Sequence, residues 1–499
     1  MKAGSSTLAA LGDAAGDLLI EVGADGALRL SGLAHDSALA SPGDLFFCVP
    51  GARRDGHDFA GAAIRSGASA LCVERPLGFG VPEIIVRDCR KAMGRMAAAF
   101  FGHPGDDLVV VGITGTNGKT TTAFLVESIL RASGHATGLI GTIETRIGDE
   151  RQPGVRTTPE ALDLQRLLAR MRDKGVGAVA MEVTSHALVL HRVEGLRFDS
   201  AAFTNLSQDH LDFHAGMEDY FAAKRSLFIA ERSAKGAVNV DDPYGRRLHA
   251  EAAVPTLGFG IARDADVRVL DVHPGPRGTH FSIATPKGDV AVSTSLVGGF
   301  NIANCLAACA VTLQAGVDLG AIESGISRLH AVPGRFESID HGQPFAVVVD
   351  YAHTPDSLDN VLREARRMAA RQGGKVVCVF GCGGDRDRGK RPLMGTVAAR
   401  LADTVVVTSD NPRSEVPEAI IGDILEGVVA ERAGGPDEVL VDRRDAIARA
   451  LAGARDGDVV VIAGKGHETG QQFAHETIPF DDRRVAGEAL DALGWETSA

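Results

Sequence analysis

The run LVVVGITGTNGKTT at residues 108–121 decides how the rest of the chain is read. LVVVGIT is apolar and rich in β-branched residues, as expected of a strand covered on both faces. GTNGKTT follows as a glycine-rich loop. TAFLVESILRASG then carries Phe124, Leu125, Ile129 and Leu130 at overlapping helical positions and stops at Gly134. Strand, loop and helix in that order make a phosphate cradle. Glycines let backbone N–H groups curl around phosphate oxygens, and Lys119 brings a point charge to the β- and γ-phosphates. Thr120 offers a hydroxyl to Mg²⁺, and the helix presents its positive end. The spacing departs from G-x-x-x-x-G-K-[ST], because Ile113 stands where the first glycine is expected. The loop still implies a nucleoside triphosphate, ATP, held by Gly115, Thr116, Asn117, Gly118, Lys119, Thr120 and Thr121. A guanine-nucleotide switch would carry Asn-Lys-x-Asp, and no asparagine of this chain precedes a lysine.

Outward from the loop, strands and helices alternate in three regions. Residues 1–105 hold the strands DLFFCVPG, ALCVE and PEIIVRD and close on Gly102 and Pro104. Residues 106–332 contain the loop and the further strands VGAVAMEV and AAFTNL. Residues 333–499 set FAVVVD, KVVCVFG, TVVVTSD and DVVVIAG between helices such as SLDNVLREARRMAARQG. The expected fold is α/β with three domains. The central one is a P-loop-type ATPase with a mostly parallel sheet, and the C-terminal one is Rossmann-like and doubly wound.

Composition agrees. A length of 499 admits about three domains, and 44% hydrophobic residues supply their cores. Gly 60 and Pro 20 stay short of low complexity. A net charge of −13 argues against duplex nucleic acid and anionic membranes, yet leaves room for a local basic pocket. The 27-residue-long stretch Ala291–Val317 lacks charge but contains Gly298, Gly299, Asn301, Asn304 and Gln314, so it reads as strand, loop and buried helix, not as a membrane span. Seven cysteines, an odd number, and a start broken by Gly and Asp point to reduced thiols in a soluble, cytoplasmic protein. Cys378 and Cys382 have no second pair with which to bind metal.

Chemistry gathers beyond the strand ends. Glu182 closes AVAMEV and His210 lies past AAFTNL, a carboxylate and an imidazole suited to Mg²⁺ and phosphate. Lys224 shares a helical face with Phe221 and Phe228. Its stem can lie on apolar surface with the ammonium in water. Beside Mg²⁺ and out of water, it would instead favour the neutral amine, which can add CO₂ to become an anionic carbamate.

TGTNGKT is similar to the loop of the Mur ligase family. Other stretches agree in order over nearly the whole chain: MEVTSH (181–186), TNLSQDHLD (204–212), NVDD (239–242), Gly299-Phe300-Asn301 with Asn304, Pro333-Gly334-Arg335, and DYAHTP (350–355). The resemblance implies peptidoglycan biosynthesis, and through it cell shape and division. ATP would activate a carboxylate as an acyl phosphate, with Lys119, Glu182, His210 and Lys224 catalytic. Thr120, Glu182, His210 and Lys224, as its carbamate, would hold Mg²⁺. Asn301, Arg335 and Asp350 would contact the nucleotide, with the third domain swinging onto the second to assemble the site.

The acceptor implied is UDP-N-acetylmuramoyl-L-alanyl-D-glutamate. His35, Ser37, Ala52, Arg53 and Arg54 match its uridine and pyrophosphate side, although Ala38 stands where a basic residue is common. Thr157, Thr158, Thr184 and Arg192 match its peptide side, with Leu190 in place of a polar residue of some relatives. The loop Asp410-Asn411-Pro412-Arg413, with Arg386, Gly464 and Glu468, is similar to that of members adding meso-diaminopimelate. Arg413 suits the extra carboxylate that lysine lacks. A lysine-adding sibling, a folylpolyglutamate synthase or a nucleotide-dependent switch module would share the ATP residues. The chain is expected to act as a monomer.

Overall fold

The computed structural model describes residues 5–51, 54–275 and 278–495. Ala52 and Arg53, two of the expected substrate contacts, lie outside the described residues. Among the described residues three large sheets follow one another along the chain, with two two-stranded ones beside them. The first runs, in spatial order, Leu19–Val22, Glu83–Val86, Ala70–Val73, Asp44–Phe47 and Gly32–Ala34, parallel except for its first strand.

The central sheet has eleven strands. From Thr137–Ile140 through Ala178–Glu182, Val109–Thr114, Ser200–Phe203, Gly236–Asn239 and Thr256–Gly260 to Val267–Gly275, all neighbours are parallel. Its inner strands, Thr137–Ile140, Ala178–Glu182, Val109–Thr114 and Ser200–Phe203, are almost wholly buried and read as apolar runs because helices cover both faces, whereas Val267–Gly275 at the end of the parallel block is largely exposed. Beyond the parallel block the sheet ends in antiparallel hairpins. Glu144–Ile147 turns through Gly148 (φ 59) and Asp149 into Glu150–Pro153 on one edge, and Gly278–Thr285 turns into Gly288–Thr294 on the other. The exposed outer strand Glu150–Pro153 carries Glu150, Arg151 and Pro153, which discourage pairing with another chain.

The charge-free stretch resolves as expected. Strand Gly288–Thr294 is followed by a short turn and the helix Gly299–Gln314, whose residues from Asn304 to Leu313 are buried. No helix among the described residues is long and apolar enough to cross a membrane. All seven cysteines are buried and free.

The third sheet runs Glu337–Ser338, Ala346–Asp350, Val459–Ala463, Val376–Phe380, Thr404–Val407 and Glu438–Val439, parallel except for the first. Helix Pro355–Gln372 shows how local sequence sets an element. Thr354 and Ser357 form a capping box, Pro355 takes the first turn, and Gly373 (φ 71) ends it. Its apolar stripe, including Leu358, Val361, Leu362 and Ala365, faces the third core.

Candidate active site

The phosphate loop leaves the central strand Val109–Thr114 and enters helix Lys119–Ala132. Two glycines are obligatory here. Gly115 has φ 148, and a Cβ there would lie 1.9 Å from Thr204 Oγ1; Gly118 has φ 85, and its Cβ would meet Asn304 Oδ1 at 2.4 Å. The helix carries no side-chain N-cap, so its first N–H groups are left for an anion. Lys119 Nζ donates to Gly115 O (3.0 Å) and Thr116 O (2.7 Å), which fixes the ammonium on the loop.

The flanking parallel strands set the neighbours. Glu182 pairs in register with Ile113 and is 1% exposed. Its Oε2 accepts from Thr120 Oγ1 (2.9 Å) and its Oε1 from Thr142 N (2.8 Å). His210, half-exposed with φ 54, stands edge-on to His186 at 4.8 Å between ring centroids. Burial lowers the pKa of His210, and burial followed by the His210 and His214 charges holds His186 down at about 4. Lys224 is almost wholly buried; its Nζ donates to Gly115 O (2.8 Å) and lies 4.6 Å from the Tyr220 ring centre. Burial, reinforced by the Lys119 ammonium, pulls its amine well below the ordinary lysine range. Its amine is therefore beneath the loop, behind Gly115.

No preassembled group of three or more His, Cys, Asp or Glu side chains suited to a metal occurs among the described residues. The fit to Mg²⁺ rests on different grounds. This cation keeps water and substrate phosphates and needs only one or two protein oxygens. The touching Thr120 hydroxyl and Glu182 carboxylate at the loop supply such oxygens.

A cleft of about 790 Å³ joins the loop to Glu182, His210, Thr157, Thr158, Thr184, Arg192, Arg335 and Asp350. Thr157 Oγ1 is 3.0 Å from Thr142 Oγ1, Thr158 Oγ1 donates to Glu182 O (2.9 Å), and Thr184 caps its helix by accepting from Ala187 N (3.1 Å). Arg192 donates to Thr158 O (3.3 Å) and pairs with Glu160 (3.0 Å). From the third region, Arg335 Nη2 donates to Thr120 Oγ1 (3.2 Å), and Asp350 accepts from Phe336 N (2.7 Å). Burial raises the Asp350 pKa to about 6. Asn301 lies behind the wall, bonded to Val297 O and Asn304; Asn304 is the asparagine that lines the cleft. Sequence reasoning missed Asp356, whose carboxylate accepts from Ser207 Oγ (2.7 Å) and Asn117 Nδ2 (2.9 Å). Its only signal was its place just after DYAHTP.

Along the third sheet, loops at the carboxyl ends of adjacent strands form a row: Asp350, then Gly464–Glu468, then Gly381–Arg386, then Asp410–Arg413. A Cβ on Gly464 would lie 2.4 Å from Asp410 Oδ2, and one on Gly383 would lie 2.9 Å from Arg413 Nη1 and 3.9 Å from Arg386 Cγ. Gly384 N donates to Asn411 O (2.9 Å), and a Cβ there would touch Pro412 O. Arg413 has φ 54 and donates to Gly384 O (2.7 Å); Arg386 donates to Asp385 O (3.2 Å). Neither arginine has a carboxylate within ion-pair distance among the described residues, so both guanidinium charges are available to an anion. Glu468, by contrast, already accepts from Asn411 and Lys465.

The first region faces a second cleft, of about 860 Å³, lined by His35 and Asp36 but not by Ser37. His35 Nε2 sits 3.0 Å from Asp163 Oδ2 of the central region. Arg54 is exposed, while Arg90 spans the gap, donating to Pro50 O (3.1 Å) and to Glu160 (3.3 Å).

Comparison with known proteins finds three family descriptions along the chain. Residues 29–101 match "Mur ligase family, catalytic domain", residues 113–312 "Mur ligase middle domain" and residues 334–466 "Mur ligase, glutamate ligase domain". The chain is 51% identical over 476 residues to the UDP-N-acetylmuramoyl-L-alanyl-D-glutamate–2,6-diaminopimelate ligase of Streptomyces coelicolor, covering 93% of each. It is 49% identical over 465 residues to the enzyme of the same name from Geobacillus thermodenitrificans, covering 92% of this chain and 94% of that one. A solved structure of a ligase of that name aligns with a TM-score of 0.72 at 33% identity, covering 98% of this chain and 99% of its own.

Proposed function

Because the chain belongs to the Mur ligase family, we propose that it is an ADP-forming amide ligase of peptidoglycan synthesis, joining meso-diaminopimelate to the D-Glu γ-carboxylate of UDP-N-acetylmuramoyl-L-alanyl-D-glutamate at the expense of ATP. The observation that carries the reading is the row of loops on the third sheet. It sets Arg386 and Arg413, which have no ion-pair carboxylate among the described residues, at the same end of the sheet as Asp350, which lines the phosphate-loop cleft.

The chemistry follows from leaving groups. A carboxylate cannot be displaced directly by an amine at neutral pH, because oxide would have to leave. Its oxygen therefore attacks the ATP γ-phosphorus, the bond to ADP breaks, and an acyl phosphate forms. The diaminopimelate amine then adds to the acyl carbon, loses its proton, and expels inorganic phosphate. Catalysis is mostly placement and charge neutralisation. Lys119 faces the β- and γ-phosphates, and the helix start beyond Gly118 takes the remaining oxygens. Thr157, Thr158, Thr184 and Arg192 hold the acceptor's peptide. His35, Ser37, Ala52, Arg53 and Arg54 hold its uridine and pyrophosphate. Asn304, Arg335 and Asp350 frame the nucleotide. Asp410, Asn411, Pro412, Arg413, Arg386, Gly464 and Glu468 take the amino acid. Thr120, Glu182, His210 and carboxylated Lys224 would hold Mg²⁺, which when bound would supply positive charge for phosphoryl transfer. The three regions 1–105, 106–332 and 333–499 thus serve acceptor, nucleotide and amino acid in a monomer working in the cytoplasm.

The test is phosphate release with purified protein, ATP and acceptor, varying only the amino acid. Release should require both acceptor and diaminopimelate. Equal release with lysine, or release without acceptor, overturns the assignment.

Lys224 gives a second prediction. A buried amine whose pKa burial and the Lys119 charge pull well below the ordinary lysine range is primed to take up CO₂. Protein equilibrated with carbon-13 bicarbonate and Mg²⁺ should show a carbamate resonance that Lys224→Arg lacks. The same resonance in the variant, or none in the parent, removes the carbamate from the site.

A further inference from the structure

We infer that Lys465 is a positioning residue that holds Asn411 and Glu468 as one rigid wall of the amino-acid pocket; the inference rests on the reading of that pocket given above. Lys465 follows Gly464 at the end of strand Val459–Ala463, and its side chain is 0% exposed. A desolvated ammonium is tolerable only when its three N–H groups and its charge are matched. They are. Nζ donates to Asn411 Oδ1 (3.0 Å), Glu468 Oε2 (3.2 Å) and Gly470 O (2.7 Å), and Glu468 is its ion-pair partner.

The three acceptors come from three segments: the Asp410–Arg413 loop, the turn after Lys465, and the short strand Gly470–Gln472. Further bonds lock them together. Asn411 Oδ1 also accepts from Gln472 N (2.9 Å), while its Nδ2 donates to Glu468 Oε2 (2.6 Å). Turning the amide over would set its NH₂ against an ammonium and a backbone N–H, so only one orientation is satisfied. Glu468 Oε2 is thereby engaged twice. Oε1, on a side chain that stays about a third exposed, has no protein partner among the described residues. One oxygen is tied to the fold and the other is left for an ammonium of the ligand. Arg413 joins the same unit through its backbone, donating from N to Gln472 O (2.9 Å).

An exposed Lys–Glu pair three residues apart would matter little. Here burial changes the outcome, because removing the ammonium leaves Asn411 Oδ1 with one donor fewer and Glu468 without its counter-charge.

The test uses the full chain with Lys465→Gln and Lys465→Met, titrating each substrate separately. The KM for diaminopimelate should rise about tenfold or more, as for residues that orient direct contacts. The KM values for ATP and acceptor should stay within about twofold. Glu468→Gln is then measured alone and with Lys465→Gln. Action through Glu468 makes the pair sub-additive, Glu468→Gln adding little once Lys465 is gone. Calorimetric binding of a non-hydrolysable ATP analogue to the same samples reports the folded fraction. Lost analogue binding, a uniform rise in every KM, or strict additivity assigns Lys465 a merely structural role and overturns the inference. If Glu468→Gln raises the diaminopimelate KM and Lys465→Gln does not, the inference alone fails. If Glu468→Gln also leaves that KM untouched, the pocket reading fails and takes the inference with it.

Discussion

Lys119→Ala is expected to lower kcat for ligation by about 10³-fold, the scale on which preorganised charge at a transferring oxygen acts. The ammonium needs no search for its position, since Gly115 O and Thr116 O already hold it at 3.0 and 2.7 Å. Its removal takes from the loop the cation held nearest the helix start, beside the Glu182 carboxylate, and leaves Arg335 at Thr120 as the remaining fixed positive charge. Lys119→Arg should recover little. The fork is longer and planar, and the space around Gly118 is bounded by Asn304 and Thr204. Initial-rate phosphate release with all substrates saturating is the measurement. A kcat within about tenfold of the parent would take Lys119 out of the chemistry.

Arg413→Ala should raise the KM for diaminopimelate by about 10²-fold, the loss of a charge-assisted, two-point contact worth roughly 2–3 kcal/mol. It should also shrink the preference over lysine, because the guanidinium that binds the extra carboxylate is the one that repels lysine's ammonium. Backbone and side chain can be separated at this position. Arg413 lies at φ 54, where any residue with a Cβ, arginine and alanine alike, carries strain of about 1–2 kcal/mol that glycine does not. Arg413→Gly should therefore match the alanine variant in KM while exceeding it in thermal stability. An unchanged diaminopimelate-to-lysine ratio of kcat/KM in both variants would refute the assignment.

Much of this was legible in the sequence, for local reasons. A strand, a Gly-Lys-Thr loop and a helix specify one another at short range, and apolar runs betray buried parallel strands. The hairpin on one edge of the central sheet was not legible. Glu144–Ile147 and Glu150–Pro153 have no apolar alternation to mark them, because they lie at the sheet's margin. The resemblance named Asn301 as a nucleotide contact, but packing ties Asn301 to Val297 O and Asn304 and leaves Asn304 to line the cleft. That Glu468 is shared between Lys465 and Asn411 emerges only in the fold, which brings the two loops together. Asp356 escaped notice for the same reason, its partners Asn117 and Ser207 lying far away along the chain.

The register of the central sheet has a practical meaning. Ile113 opposite Glu182 and Thr114 opposite Phe203 place the three loops that carry Lys119, Glu182 and Thr204 by main-chain ladders. Side-chain wear beneath them, such as a shortened valine, shortens the working lifetime of the protein without blurring its aim. The scaffold can thus drift in composition, so long as its rungs stay matched.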